Sequence, residues 1–295
     1  MRVLGLCLLV LLGLVPAAHA AEAAPEVVPP HQTFTLTSKR LHEVRRLNVY
    51  TPPGYDAAKG ARFPVLYMPD GGLQEDFPHV ARDVDAAIRA GELRPMIVVG
   101  IENTERRRDM TGPTQVAEDR KIAPHVGGSA AFRAFVRDEL IPEVRRRYRT
   151  TEARGIIGES LAGLFVLETF LQEPGLFDTW ISLSPSLWWN DDALVRSAPQ
   201  KLAGHRSLKG ALYFATTGDD TMAPQATRLA EALRARGAKG LRWKYEPLPQ
   251  LRHDNIYREA SPRVLREWFP PEPKRAGAPA KGPAAPAGGA ATPSH

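Results

Sequence analysis

Ser160 stands at the centre of Gly158-Glu159-Ser160-Leu161-Ala162. An apolar run, Gly155-Ile156-Ile157, precedes this pentapeptide, and a helical pattern, Leu164-Phe165-Val166-Leu167, follows it. A serine at the apex of a sharp strand-to-helix turn projects its hydroxyl clear of the chain, where it can act as a nucleophile. The turn is strained and brings together the residues two before and two after the serine, so both must be small. Gly158 and Ala162 meet that demand, alanine standing where glycine is more usual.

A serine hydroxyl needs a base to take its proton and an acid to orient that base. With this kind of elbow the order along the chain is serine, acid, histidine. Of the eight histidines, only His253 both follows Ser160 and sits in the loop after the last predicted strand, in Gln250-Leu251-Arg252-His253-Asp254-Asn255. The acid belongs after the strand around Ala211–Ala215, where the chain reads Gly218-Asp219-Asp220-Thr221. Asp220 is the preferred triad acid because it lies further from the strand end, and Asp219 is the alternative. Two backbone amides must meet the developing oxyanion. Leu161, after the nucleophile, supplies one. Gly72, in the Gly71-Gly72 pair after the strand around Phe63–Met68, supplies the other. The chemistry is acyl transfer through a serine ester and requires no cofactor. No zinc-binding histidine motif is present, so no metal site is assigned.

These groups need rigid elements behind them. Strand-like runs cover Val44–Tyr50, Phe63–Met68, Met96–Ile101, Gly155–Ile157, Trp180–Leu183, Ala211–Ala215 and Leu241–Glu246. Helical spacing alternates with them over Val80–Arg89, Ala130–Tyr148, Asp191–Ser197 and Pro224–Arg236. A closing helix is expected over Ser261–Trp268, capped by Ser261 with Pro262 just inside. The alternation predicts an α/β class with a largely parallel central sheet and helices on both faces, the α/β-hydrolase fold. Residues from Glu102 to about Gly128 are too polar for core and too long for a plain connector, which marks a functional loop.

The ends have their own signatures. Met1-Arg2, an apolar run from Val3 to Val15 and small residues before Ala21 make residues 1–20 a secretory signal peptide. The run is too short for a membrane anchor, which needs about 20 apolar residues. Cys7, the one cysteine, falls inside it, so the mature chain carries no thiol and no disulfide. From Pro270 onward proline, alanine and glycine dominate, so residues 270–295 are expected to be disordered. Residues 21–269, about 250 in all, suit a single α/β domain. The net charge of +6 is spread along helix surfaces, as in Arg145-Arg146-Arg147, and is not interleaved with aromatics, which argues against nucleic-acid binding.

Gly158-Glu159-Ser160-Leu161-Ala162-Gly163-Leu164-Phe165 resembles the nucleophile region of the esterase-D-like "putative esterase" α/β-hydrolases. The branch with the periplasmic trilactone siderophore esterases is the most similar. Leu66-Tyr67-Met68-Pro69-Asp70-Gly71 resembles its oxyanion strand, with aspartate-glycine in place of histidine-glycine. Asn103-Thr104-Glu105-Arg106 and Arg108-Asp109-Met110-Thr111 resemble its active-site loop, interrupted at Gly112, and Ser184-Pro185-Ser186-Leu187-Trp188-Trp189 resembles the segment after the next strand. The resemblance implies hydrolysis of a small-molecule carboxylic ester in the periplasm or outside the cell. Some siderophore esterases work with serine and histidine and little help from an acid, which puts more weight on Ser160 and His253 than on Asp220. Arg108 and Trp188 are candidate substrate contacts, the first for an anionic or catecholate group, the second for an aromatic or acyl group. Two rival readings stay open: an acyltransferase using an alcohol acceptor, and a silent binding protein on the same fold. The sequence is silent on subunit number.

Overall fold

The computed structural model describes residues 27–272 except 220 and 238. The expected signal segment, the tail beyond residue 272 and Asp220 lie outside the described residues.

Among the described residues the strands are β1 (His31–Ser38), β2 (Glu43–Tyr50), β3 (Phe63–Pro69), β4 (Ile97–Ile101), β5 (Thr150–Glu159), β6 (Thr179–Leu183), β7 (Lys209–Thr217) and β8 (Gly240–Leu248). The helices are α1 (Phe77–Arg89), α2 (Arg106–Asp109), α3 (Ala117–Lys121), α4 (Ser129–Phe135), α5 (Ile141–Arg147), α6 (Ser160–Gln172), α7 (Trp189–Gly204), α8 (Ala223–Arg236) and α9 (Ile256–Trp268). The strands form one sheet in the order β1-β2-β4-β3-β5-β6-β7-β8. β3 through β8 run parallel, and β1 and β2 are antiparallel additions at one edge.

The central strands read as unbroken apolar runs because both of their faces are covered. Along β3, Val65 and Tyr67 join the core on one side, while Leu66 and Met68 join the core on the other. The first core holds the apolar stripes of α4 through α8, and the second holds those of α1 and α9. This is the expected α/β-hydrolase architecture.

Four local differences from the sequence expectations have physical reasons. β1 is a polar edge strand in which Phe34 and Leu36 turn partly inward between threonines, so its alternation is weak. The loop over residues 102–128 contains the short helices α2 and α3. The helix expected over Ala130–Tyr148 carries a π-helical turn, Val136–Leu140, just before Pro142, whose missing N–H interrupts the regular ladder. α9 begins at Ile256, so Ser261 is a buried residue inside the helix and caps nothing. Tyr257, Ala260, Val264 and Leu265 form its apolar stripe, and burial of that stripe overrides the local stop signal of Ser261-Pro262.

A sheet with β3 at its centre, β4 on one side and β5 on the other reverses its winding between β3 and β5. Ligands of open α/β sheets bind beyond the carboxyl ends of the strands at such a reversal. Asp70, Ser160, Ser184, Asp219 and His253 all leave that edge.

Candidate active site

Ser160 follows directly on β5 and opens α6 with φ of +58°, a left-handed conformation that costs a serine energy and persists only where its surroundings enforce it. A Cβ on Gly158 would stand 2.7 Å from the Ala162 carbonyl carbon and 2.8 Å from its Cβ. Only glycine fits there. The turn aims Ser160 Oγ at the loop after β8, 3.1 Å from His253 Nε2. Ser186 Oγ lies 3.3 Å from the same hydroxyl, and the Ser186 amide donates to the Ser160 carbonyl at 3.1 Å.

His253 is 45% exposed at its side chain, so substrate and water can reach it. Its loop is tied by the Arg252 amide donating to Asn255 Oδ1 at 2.9 Å. Asp219 Oδ1 accepts from the His253 backbone amide and from Thr217 Oγ, each at 2.9 Å. Desolvation raises the Asp219 carboxyl, but these two donors outweigh it and hold the group below the usual carboxylate range. Asp219 therefore grips the backbone of the histidine, while ring atom Nδ1 meets Ser184 Oγ at 2.7 Å. Sequence reasoning assigned no role to Ser184. Its one visible signal was the Ser184-Pro185-Ser186 turn at the end of an apolar strand.

Glu159 is a second residue that sequence reasoning passed over. Its Oε1 lies 3.2 Å from His253 Nε2, yet this buried oxygen has no hydrogen bond of good geometry. Burial pushes its carboxyl up to about 8; Arg106 pulls the other way, and Asp70 and Asp76 add to the rise. Arg106 is spoken for by Asp70, which it meets at 2.6 and 2.9 Å through two guanidinium nitrogens. Asn103 Nδ2 donates to Asp70 as well, at 2.6 Å.

The expected oxyanion donors differ in readiness. Leu161 is in the first turn of α6, where helix amides have no intrahelical acceptor. The Gly72 amide instead donates to Glu75 Oε2 at 2.7 Å, so in the resting site it faces a carboxylate. Gly71 is needed for packing: a Cβ there would lie 2.2 Å from Gly100 Cα at the end of β4.

The two expected substrate contacts also separate. Arg108 meets Glu43 at 2.8 and 3.1 Å, Asp109 at 2.7 Å and Glu105 at 3.3 Å. In this state its guanidinium is held by three carboxylates, so an anionic substrate group would have to compete with them. Trp188 is 38% exposed, two residues from Ser186, with its ring tilted against Trp189 at 5.8 Å between centroids. Trp189 is buried and donates Nε1–H to the Gly112 carbonyl at 2.8 Å.

A family model described as "Putative esterase" matches residues 38–247. The match takes in Ser160, Ser184 and Asp219 and stops before His253. The chain is 32% identical over 189 residues to the ferri-bacillibactin esterase BesA of Bacillus subtilis (strain 168), covering 57% of this chain and 63% of that protein. It is 30% identical over 176 residues to the apo-salmochelin esterase of Escherichia coli O6:H1, covering 55% and 54% respectively. The chain thus spans less than two thirds of the length of these relatives. An IroE-like serine hydrolase from Shewanella oneidensis superposes with a TM-score of 0.74 at 23% identity, over 81% of this chain and 80% of that one. At that identity the likeness carries the fold alone.

Proposed function

The chain belongs to the putative esterase family, and we propose that it is an exported serine hydrolase that cleaves small-molecule carboxylic esters through an acyl-enzyme intermediate. One observation carries this reading: Ser160 Oγ, forced into the open by a φ of +58°, sits 3.1 Å from His253 Nε2. That is hydrogen-bond reach between a nucleophile and its base.

In the proposed reaction Nε2 of His253 takes the Ser160 proton while Oγ bonds to the ester carbonyl carbon. The tetrahedral oxyanion receives the Leu161 amide. It receives the Gly72 amide too, once the substrate oxygen displaces Glu75. Collapse breaks the bond to the leaving alcohol, to which His253 returns the proton. Water, deprotonated by the same imidazole, then releases the acid and frees Ser160. Asp220 is the proposed acid of the triad, with Asp219 as its alternative.

Siderophore-type esters are the proposed substrate class, supported by the names of the two curated relatives. Export is supported by the basic start, short apolar run and small residues of positions 1–20. Among the described residues no helix is long and apolar enough to cross a membrane.

Hydrolysis of short p-nitrophenyl esters by the mature protein tests the reaction. Ser160→Ala should lower kcat by at least about 10⁴-fold. Equal rates for the two proteins would remove the serine from the mechanism. A panel of siderophore esters then tests the substrate class: none cleaved faster than the p-nitrophenyl esters would set that class aside.

A further inference from the structure

His253 can accept a proton at Nε2 only if its other ring nitrogen carries the hydrogen, so something must hold the imidazole in that tautomer. A carboxylate usually does so. Here the described aspartate of the pair, Asp219, is occupied with the histidine's backbone amide and with Thr217. Among the described residues the group that meets Nδ1 is a hydroxyl, Ser184 Oγ, at 2.7 Å.

Ser184 is built into place. It follows β6 directly, is buried, and adopts φ of +42°, a conformation costly for any residue with a Cβ. Its amide donates to the Ala215 carbonyl of β7 at 2.8 Å, which fixes its backbone against the next strand. Pro185 follows, and its ring restricts the chain further. Ser186 then contacts the nucleophile, with its amide on the Ser160 carbonyl and its hydroxyl 3.3 Å from Ser160 Oγ. One tripeptide therefore touches the imidazole at one end and the nucleophile at the other.

We propose that Ser184 is the positioning residue for His253: its hydroxyl accepts the Nδ1–H bond that selects the productive tautomer, and the rigid Ser184-Pro185-Ser186 turn sets the imidazole against Ser160. A serine hydroxyl that accepts one bond still has its own hydrogen to donate. The proposal rests on the serine-hydrolase reading for its kinetic consequence, though not for its structural one.

The test uses Ser184→Ala and Ser184→Gly in the full mature protein. Glycine accepts the left-handed backbone, so it removes the hydroxyl and relieves the strain together, and remains informative if the alanine variant fails to fold. Kinetics with a p-nitrophenyl ester should show kcat lowered by about 10²-fold with KM held, the signature of a displaced base. Nitrogen-15 NMR of the His253 ring should show the Nδ1–H form in the wild type and its loss in the folded variant. A Ser184→Gly protein that keeps kcat within twofold, or keeps the Nδ1–H signal, overturns the proposal. The ring spectrum needs no turnover. If Ser160→Ala proved as active as wild type, the esterase reading would fail while the spectrum still decided the role of Ser184.

Discussion

Two polar regions of this protein are rich in charge and differ in how their groups are paired. In the first, β2 meets α2. Arg45 is buried, contacts Asp109, and pairs with Glu43 at 2.8 Å, while Arg108 adds its own bonds to Glu43 and Asp109. Burial raises the Glu43 carboxyl, but Arg108 and Arg45 outweigh it and hold it below the usual range. The Arg45 guanidinium also lies over the Phe132 ring, 5.2 Å from its centroid. Each charge there has a counter-charge close by, although Arg45 Nε, like Glu159 Oε1, makes no hydrogen bond of good geometry. In the second region, around Ser160 and His253, matching is deliberately incomplete: Glu159 keeps an orphaned oxygen, the imidazole is half open to water, and Ser160 and Ser184 are held at positive φ. Close pairing of opposite charges stabilises a fold and leaves little for a substrate to bind. Strained and partly unmatched groups can exchange protons and partners, and so belong to chemistry.

The contrast predicts opposite phenotypes. Arg45→Met should remove one of the two cations on buried Asp109 and on Glu43, leaving both to Arg108, and cost up to about 3–5 kcal/mol of stability. Urea denaturation measures it, and the folded fraction should keep kcat/KM within about twofold. A large loss of kcat at unchanged stability would move the network into the active site and erase the distinction.

Glu159 sharpens the contrast through pH. Its carboxyl ordinarily titrates at 4.5 and is pushed up to about 8 in the fold. Between those values the folded chain holds a proton that the unfolded chain releases, so this group makes stability fall as pH rises across that window. Glu159→Gln removes that slope and should gain about 3–5 kcal/mol relative to wild type on going from pH 4.5 to pH 8.5. Urea midpoints at the two pH values check it. Parallel losses in both proteins would mean that Glu159 titrates normally.

Trp188→Ala should have the smallest effect. An exposed ring beside the site that stacks on an aryl ester is worth about 1 kcal/mol, so KM should rise three- to tenfold with kcat little changed. Its thermal midpoint should stay near that of the wild type. An unchanged KM for both aryl and alkyl esters would take Trp188 out of the substrate path.

Much of the fold was legible in the sequence because the central strands are apolar on both faces and glycine marks the tightest turn. Gly158 and Ala162 needed no coordinates to be understood, since an elbow admits nothing larger. β1 escaped notice because a half-exposed edge strand can alternate threonine with apolar residues and lose most of its signal. The start of α9 was misplaced because Ser261-Pro262 imitates a helix beginning, while the stripe from Tyr257 to Leu265 that overrides it gains its energy only against the folded core. That Arg108 pairs with Glu43 could not be read from the loop, because Glu43 lies 65 residues earlier in the chain.

What the sequence by itself determined was the elbow at Ser160 and the candidate base: a strained small-residue turn is a local property, and the position of His253 after the last strand follows from chain order. What only the tertiary structure decided was which atoms meet across long separations. Ser184 reaches His253 from 69 residues away, the Asp219 carboxylate takes the backbone amide and leaves the ring, and Gly72 turns its amide to Glu75. Such contacts depend on strand order, register and the rotamers that packing permits. A side chain carries the ability to hydrogen-bond in its covalent structure, but its partner is chosen by the sheet that brings the two ends together.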